Sequence, residues 1–392
     1  MRVLWYRPQF SWPRTTGQDT SAYQLMRAMD ALGVRVSFAT ARAPRPEAVA
    51  GVAFERIVEL DGSGSEAAVP ALTLNRFEDR FRSYWGVPPQ RIVAFGRLAA
   101  ELQADAAIVG GLDVLPVLGA VSGAVRVWFA GDEWTWHHLT QVQLTDVRSW
   151  SNIKDAAVKG IYERVFRARV DRGWVVSEPD ARALRWFAGL SQVDTIPIGV
   201  DADAWAHVDG PENPDTALFW GRLDFGPNIQ ALEWFVGRVW PLLRAVRPSA
   251  RFTIAGFRPG SEVERLARTP GIDLLPDVPD IRPLASRHAV VVLPFVSGAG
   301  IKNKLLEAAA MAKAIVATPL ALNGLKGQPP VRLARAPREW ASTIGALWDD
   351  EPARAALGSQ ARTWVTAEHT WKAAARAAIA TIERSLSERK RR

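Results

Sequence analysis

A chain of 392 residues with 48% hydrophobic and 23% charged side chains is too long for one ordinary core and too apolar for disorder; two domains of about 200 residues are the natural division. It has no cysteine, which excludes a disulfide framework and any thiolate metal site. The net charge of +8 suits phosphate-bearing substrates or anionic lipid, but the basic residues form no clustered stripe and no recognised nucleic-acid module, so no nucleic-acid partner is expected.

In chain order, "RVLWY" (2–6) reads as a strand. Its apolar run is too short for a signal-peptide core. A polar loop follows, then an amphipathic helix from about Thr20 to Leu32, then a strand at 34–39. Strands at 106–110, 125–130, 173–177 and 193–197 complete a first set, with the longest intervening helix around 153–171. Short β-branched runs alternating with helices predict parallel strands joined by helical crossovers. The stretch 206–216, "AHVDGPENPDT", is rich in Pro, Gly, Asp and Asn and reads as a linker. The alternation then restarts, with strands at 217–221, 251–256, 272–275, 289–295 and 314–318 and a helix at 228–246. Their unbroken apolar character suits strands buried on both faces. Helices at 336–348, 351–367 and 371–388 close the chain, ending in the basic run "SERKRR". The 17 tryptophans are scattered and read mostly as core or pocket wall. The longest uncharged stretches, near 114–125 and 289–301, fall short of the roughly 18–20 residues that span a bilayer. The expectation is a cytoplasmic protein, with peripheral contact to an anionic inner membrane face at most.

The pattern therefore divides as 1–205, an N-terminal Rossmann-like domain; 206–370, a C-terminal one; and 371–392, a helix packing back on the first domain, with a basic tail. Two doubly wound sheets in series place ligand sites at the carboxyl ends of their strands.

The stretch 294–319, "PFVSGAGIKNKLLEAAAMAKAIVATP", carries the chemistry. A buried strand ends at Phe295, a loop with Gly298 and Gly300 follows, and a helix begins near Lys302. Glycines let backbone approach an anion, and a helix N-terminus offers unpaired N–H groups with partial positive charge. Lys302 and Lys304 add full charge there. Glu307 shares a face with Lys304 and, when ionised, can only accept, as ribose hydroxyls would require.

This string resembles the signature of retaining family-4 glycosyltransferases of the GT-B fold, in the form found in exopolysaccharide clusters. Other parts agree in order: "LFWGRLDFGPNIQALEWF" (218–235), "VDTIPIGVDADAW" (193–205), "VVSEPDARAL" (175–184) and "TTGQDTSAYQLMRAMDALGVRV" (15–36). The resemblance implies an α/β fold of two Rossmann-like domains facing each other across a cleft. It implies transfer of a sugar, with retention, from a nucleotide-sugar donor to a glycan, lipid-linked or other hydroxyl acceptor, in cell-envelope or exopolysaccharide synthesis. It gives Glu307 the donor ribose, and it gives Arg222 and Lys304 the donor diphosphate. Val278 falls beside the base and Gly17 in the N-terminal loop near the sugar and phosphates. Two departures stand out. The first glutamate of the family's E-x7-E would fall at position 299, which is Ala299, and the family's second lysine is replaced around Pro227.

No cofactor or metal is expected: there is no Asp-x-Asp pair in a metal-binding setting, and the five histidines form no cluster. In "VWFAGDEWTWHHL" (127–139), Asp132 and His137 or His138 would orient an acceptor hydroxyl, with Trp134 and Trp136 stacking on a sugar. The plainer reading is a helix N-cap at Asp132 with core tryptophans. A non-catalytic nucleotide- or sugar-binding protein and a sugar-nucleotide epimerase are the alternative functions.

Overall fold

The computed structural model describes residues 1–12, 14, 16–60, 81, 86–142, 147–206, 210–298 and 301–391, with Arg148 by its backbone alone. The chain divides into two compact units, Met1–Pro197 with Trp371–Arg392, and Ile198–Thr370.

The first unit holds one parallel sheet of β1 (Arg2–Tyr6), β2 (Arg35–Thr40), β3 (Arg56–Glu59), β4 (Ala106–Gly110), β5 (Val125–Gly131), β6 (Arg172–Val175) and β7 (Val193–Thr195). Its order is β3-β2-β1-β4-β5-β6-β7, so the strand order reverses between β1 and β4. The strands expected from sequence are present within a residue or two; β3, mostly exposed, had too little apolar pattern to be read. The helix Gly17–Asp30 starts three residues before its expected position. Thr16 caps it by accepting from the amide of Asp19 at 3.2 Å. Trp5, Trp128 and Trp174 are wholly buried in this core, as expected of most tryptophans.

The helix Trp371–Lys390 belongs to this unit and lies against Gly17–Asp30. Trp174 Nε1 donates to Thr381 Oγ1 at 3.0 Å, and the Arg172 guanidinium donates to the Ser385 hydroxyl and to Asp194 at 2.9 Å. Arg389 donates to Asp171 at 2.6 Å and to the Gly123 carbonyl at 3.0 Å, so this part of the basic end is held by the unit's own surface.

The second unit holds a second parallel sheet of β8 (Asn213–Arg222), β9 (Arg251–Phe257), β10 (Ile272–Pro276), β11 (His288–Leu293), β12 (Ala314–Ala317) and β13 (Arg332–Leu333), in the order β10-β9-β8-β11-β12-β13. The reversal here lies between β8 and β11. The linker expected at 206–216 is corrected: β8 already begins at Asn213, and the units divide at Ile198. Residues 207–209 lie outside the described residues, and Glu212, just ahead of β8, is held by two cations. Its carboxylate accepts from Lys313 at 2.8 Å and forms an ion pair with Arg354 at 2.6 Å, both in the same unit. The helix expected over 228–246 is broken into Gly226–Trp234 and Trp240–Val246 by a wider π turn over Phe235–Val239. Trp240, Phe235 and Trp340 pack into the core on this side of the sheet.

Candidate donor site at a strand-order reversal

Parallel sheets open a crevice where the strand order reverses, beyond the carboxyl ends of the two diverging strands. In the second unit those strands are β8 and β11. After a buried polar residue, Thr216 on β8 and His288 on β11, each continues as a buried apolar run. The helix Gly226–Trp234 follows β8, and the helix Asn303–Ala310 follows β11.

Backbone packs tightly at the end of β8. Gly256 on β9 has φ +149°, and a Cβ there would lie 1.7 Å from the carbonyl oxygen of Gly221. Gly221 has φ +144°, and a Cβ there would lie 2.9 Å from Lys304 Nζ. Gly256 thus lets β9 pass close to Gly221, and Gly221 leaves room for the lysine head group. Lys304 Nζ donates to Asn228 Oδ1 at 2.8 Å and sits 4.1 Å from the Phe219 ring centroid and 5.0 Å from that of Phe295. Asn228 is fixed in turn, its Nδ2 donating to the Arg222 carbonyl at 2.7 Å. Burial among these rings lowers the Lys304 pKa to about 7, with Glu307 opposing the shift and Lys302 adding to it.

Glu307 lies half-buried one turn further along the same helix. Trp220 Nε1 donates to its Oε2 at 2.9 Å. Desolvation raises its pKa, and Trp220 and Lys304 act against that rise. Lys302 caps the helix with extended backbone, and its Nζ donates to the Gly298 carbonyl at 3.1 Å. Gly298 has φ +97°, and a Cβ there would meet Pro227 at 3.0 Å. Pro227, where the resemblance lacks a lysine, therefore packs against Gly298.

Arg222 ends β8 and lies at the rim, with its side chain 40% exposed. It makes a two-pronged pair with Asp224, Nε to Oδ1 at 2.9 Å and Nη2 to Oδ2 at 3.0 Å. This pairing holds the Asp224 carboxyl below its ordinary range. Val278 is at the carboxyl end of β10, after Asp277, whose amide donates to the Gly256 carbonyl at 2.9 Å. Gly300 and Ala299 lie outside the described residues. Lys302, Lys304, Glu307, Gly298 and Arg222 are thus gathered at the β8 and β11 ends, with Val278 along the same edge. Asn228, Trp220 and Asp224 were not picked out from sequence. Asn228 and Trp220 meet their partners 76 and 87 residues away, a pairing with no local signal.

The first unit positions the remaining candidates. Gly17 opens the helix Gly17–Asp30 after β1. Asp132 lies between the end of β5 and the helix Trp134–Leu139. The N-cap expected at Asp132 is corrected to Glu133, whose carboxylate accepts from the amides of Thr135 at 3.2 Å and Trp136 at 2.5 Å. Glu133 is buried beside Glu163, and burial raises both carboxyl pKa values, that of Glu163 well above the usual range. His137 is also buried, its ring edge-on to Trp134 and to His138. His138 faces Asn152 through Nδ1 at 2.8 Å and Lys159 through Nε2, and burial lowers its pKa. Trp136 is 41% exposed and is the more accessible of the two candidate stacking rings. Among the described residues no group of three His, Asp or Glu side chains is placed to hold a metal, and no helix is long and apolar enough to cross a membrane.

Comparison with known proteins bears on this geometry. Residues 214–350 match the family described as Glycosyl transferases group 1. A protein of the cps region of Klebsiella pneumoniae, described as an uncharacterized 44.6 kDa protein, is 27% identical over 115 residues, 27% of this chain. That match spans only 30% of the relative's length. Among solved structures, sucrose-phosphate synthase from Thermosynechococcus elongatus is 16% identical with a TM-score of 0.71, covering 99% of each chain. HepE from Anabaena, solved with UDP, is 13% identical with a TM-score of 0.68, covering 99% of this chain and 100% of that one. A glycosyltransferase from Rickettsia africae is 13% identical with a TM-score of 0.64, covering 98% of both. At such identities the likeness is one of fold. The fold is the expected α/β class of GT-B type, two Rossmann-like domains each with its own parallel sheet.

Proposed function

We propose that this chain is a glycosyltransferase that takes a sugar from a nucleotide-sugar donor and passes it to a hydroxyl acceptor. The observation that carries the reading is the buried Lys304 head group at the β8–β11 reversal, fixed by Asn228 with Glu307 one turn away. A buried cation beside a helix N-terminus and two backbone-exposing glycines is suited to a diphosphate. The match of residues 214–350 to a glycosyltransferase family supports the same reading, and a solved neighbour that holds UDP agrees with it.

In the proposed reaction the acceptor oxygen bonds to the sugar's anomeric carbon as the bond from that carbon to the β-phosphate oxygen breaks. Retention follows if both events occur on one face, with the leaving phosphate taking the acceptor's proton. Charge grows on the β-phosphate, and Lys304, Arg222 and the Asn303–Ala310 helix terminus are there to meet it. Arg222 acts after the diphosphate displaces Asp224. Glu307 takes the ribose hydroxyls. On this reading no protein nucleophile, metal or cofactor is required. The acceptor is a glycan or lipid-linked sugar of the cell envelope or an exopolysaccharide, met on the cytoplasmic side, with Asp132 and Trp136 as the first unit's contacts. The second reading is donor binding without transfer, favoured by the alanine at position 299.

The test is a thermal-shift panel with UDP, GDP, ADP and their sugars, followed by transfer assays with the nucleotide that binds. A nucleotide at 100 times its Kd adds about 2.7 kcal/mol, a shift of several degrees. Glu307→Ala should lose charged hydrogen bonds of about 1.5–3 kcal/mol, on the order of 10- to 150-fold in affinity. Unchanged affinity removes Glu307 from the donor site. A shift with every transfer assay blank moves the conclusion to binding alone.

A further inference from the structure

The helix Ser151–Phe166 in the first unit presents an unusual face to water. A surface helix ordinarily turns charge outward and apolar side chains inward. Here the inward face is Ala156, Tyr162, Glu163 and Phe166. At 3.6 residues per turn, Trp150, Ile153, Ala157, Ile161 and Arg164 fall within about 80° of one another on the opposite side. Trp150 is 47% exposed, Ile153 50% and Ile161 47%. The ridge continues onto the next helix. Arg164 donates to the carbonyl of Trp186 at 3.0 Å, and Trp186 is the most exposed tryptophan among those described, at 76%. Val147, in the turn before the helix, is 71% exposed.

Charge decides what covers this ridge. Lys154 and Arg164 on this helix, and Arg182 one turn before Trp186 on the next, are exposed and basic, while the exposed acid of the second helix, Glu178, is paired with Arg185 at 3.2 Å. The two acidic residues of the helix both fall on the side away from the ridge, Asp155 exposed and Glu163 wholly buried. A second copy would bring basic surface against basic surface. An anionic bilayer offers headgroups for the cations and an interface in which exposed tryptophan and isoleucine lose contact with water.

We propose that this ridge seats the first unit on an anionic lipid surface, with Trp150 and Trp186 as the interfacial anchors. The site is independent of the nucleotide reading. It lies at neither strand-order reversal, and its test uses no nucleotide.

Full-length protein is sedimented with vesicles of phosphatidylcholine alone and of phosphatidylcholine mixed with phosphatidylglycerol. Binding is expected only to the anionic vesicles, and it should weaken as salt rises. A variant combining Trp150→Gln, Ile153→Gln, Ile161→Gln and Trp186→Gln should bind at least about tenfold more weakly, and Lys154→Gln with Arg164→Gln should remove most of the salt-sensitive part. Near-UV circular dichroism like that of the parent shows that the variants are folded; a variant that fails this check is replaced by the single Trp186→Gln change, for which a smaller loss is expected. The proposal is overturned if the parent ignores anionic vesicles. It is overturned equally if the folded ridge variant binds as the parent does, which would assign binding to the tail residues Lys390 and Arg391. A dimeric parent that the ridge changes convert to monomer would assign the ridge to a second copy.

Discussion

Lys304 is a cation in a setting that disfavours cations. Phe219, Phe295 and the backbone of Gly221 keep water from its head group, and burial brings its pKa to about 7. The sign follows from linkage. Below about pH 7 Lys304 is charged in both folded and unfolded chain, and its burial penalty is fully present; the penalty lifts as pH rises toward the ordinary lysine value, so stability without ligand rises over that window. A bound diphosphate would restore the charge, so above pH 7 binding takes up a proton and weakens by up to about tenfold per pH unit. Lys304→Met should flatten both dependences and weaken nucleotide binding at pH 6 by roughly 10- to 150-fold. Calorimetric titration from pH 6 to 9 checks this, and a variant that keeps the parent's pH dependence would exclude Lys304 as its source. That Lys304 and Glu307 share one helix was legible from their spacing. That Arg222 is held by Asp224 was not, because two exposed charges two residues apart are common and only the two-pronged geometry distinguishes them.

At the scale of elements, the strands were the most readable part. Buried parallel strands are continuous apolar runs, and β8, β9, β11 and β12 each follow one over their buried length, whereas β10, read from a similar run, lies at the sheet edge with its end exposed. What escaped were the exposed edge strand β3, the two-residue β13, the helix Pro89–Glu101 and the π turn that splits 226–246. The cap at Glu133 in place of Asp132 has a similar origin. Both carboxylates can cap, and the choice depends on where β5 ends at Gly131. The close pass of β8 and β9 is an element-level constraint with a sharp consequence. Gly256→Ala would place a Cβ 1.7 Å from the Gly221 carbonyl oxygen at a φ of +149°, so the strand ends must move apart and stability should fall by more than about 3 kcal/mol. Urea unfolding measures the loss. A decrease of under 1 kcal/mol, as estimated for an unstrained surface change, would mean the two strand ends are looser than described.

At the scale of the whole molecule, each unit has its own sheet and core, and the first is completed by a segment from the far end of the chain. Calorimetry should resolve two transitions. The nucleotide that binds should raise the one belonging to Ile198–Thr370. Trp174→Phe, which leaves the Thr381 hydroxyl without its indole donor, should lower the other by several degrees through a loss of about 1–3 kcal/mol. One transition moved by both changes would contradict two separately cored units. The sequence by itself determined the alternation of strand and helix, the two-domain division in outline and the glycine–lysine–glutamate string, because hydrophobic period and helix-face spacing act over a few residues. Only the tertiary structure decided that Asn228 and Trp220 orient Lys304 and Glu307, that Glu212 pairs with Lys313 and Arg354 just ahead of β8, and that one helix turns its apolar ridge outward. Those outcomes depend on which residues distant in the chain are brought together, and burial and charge are set by neighbours in space.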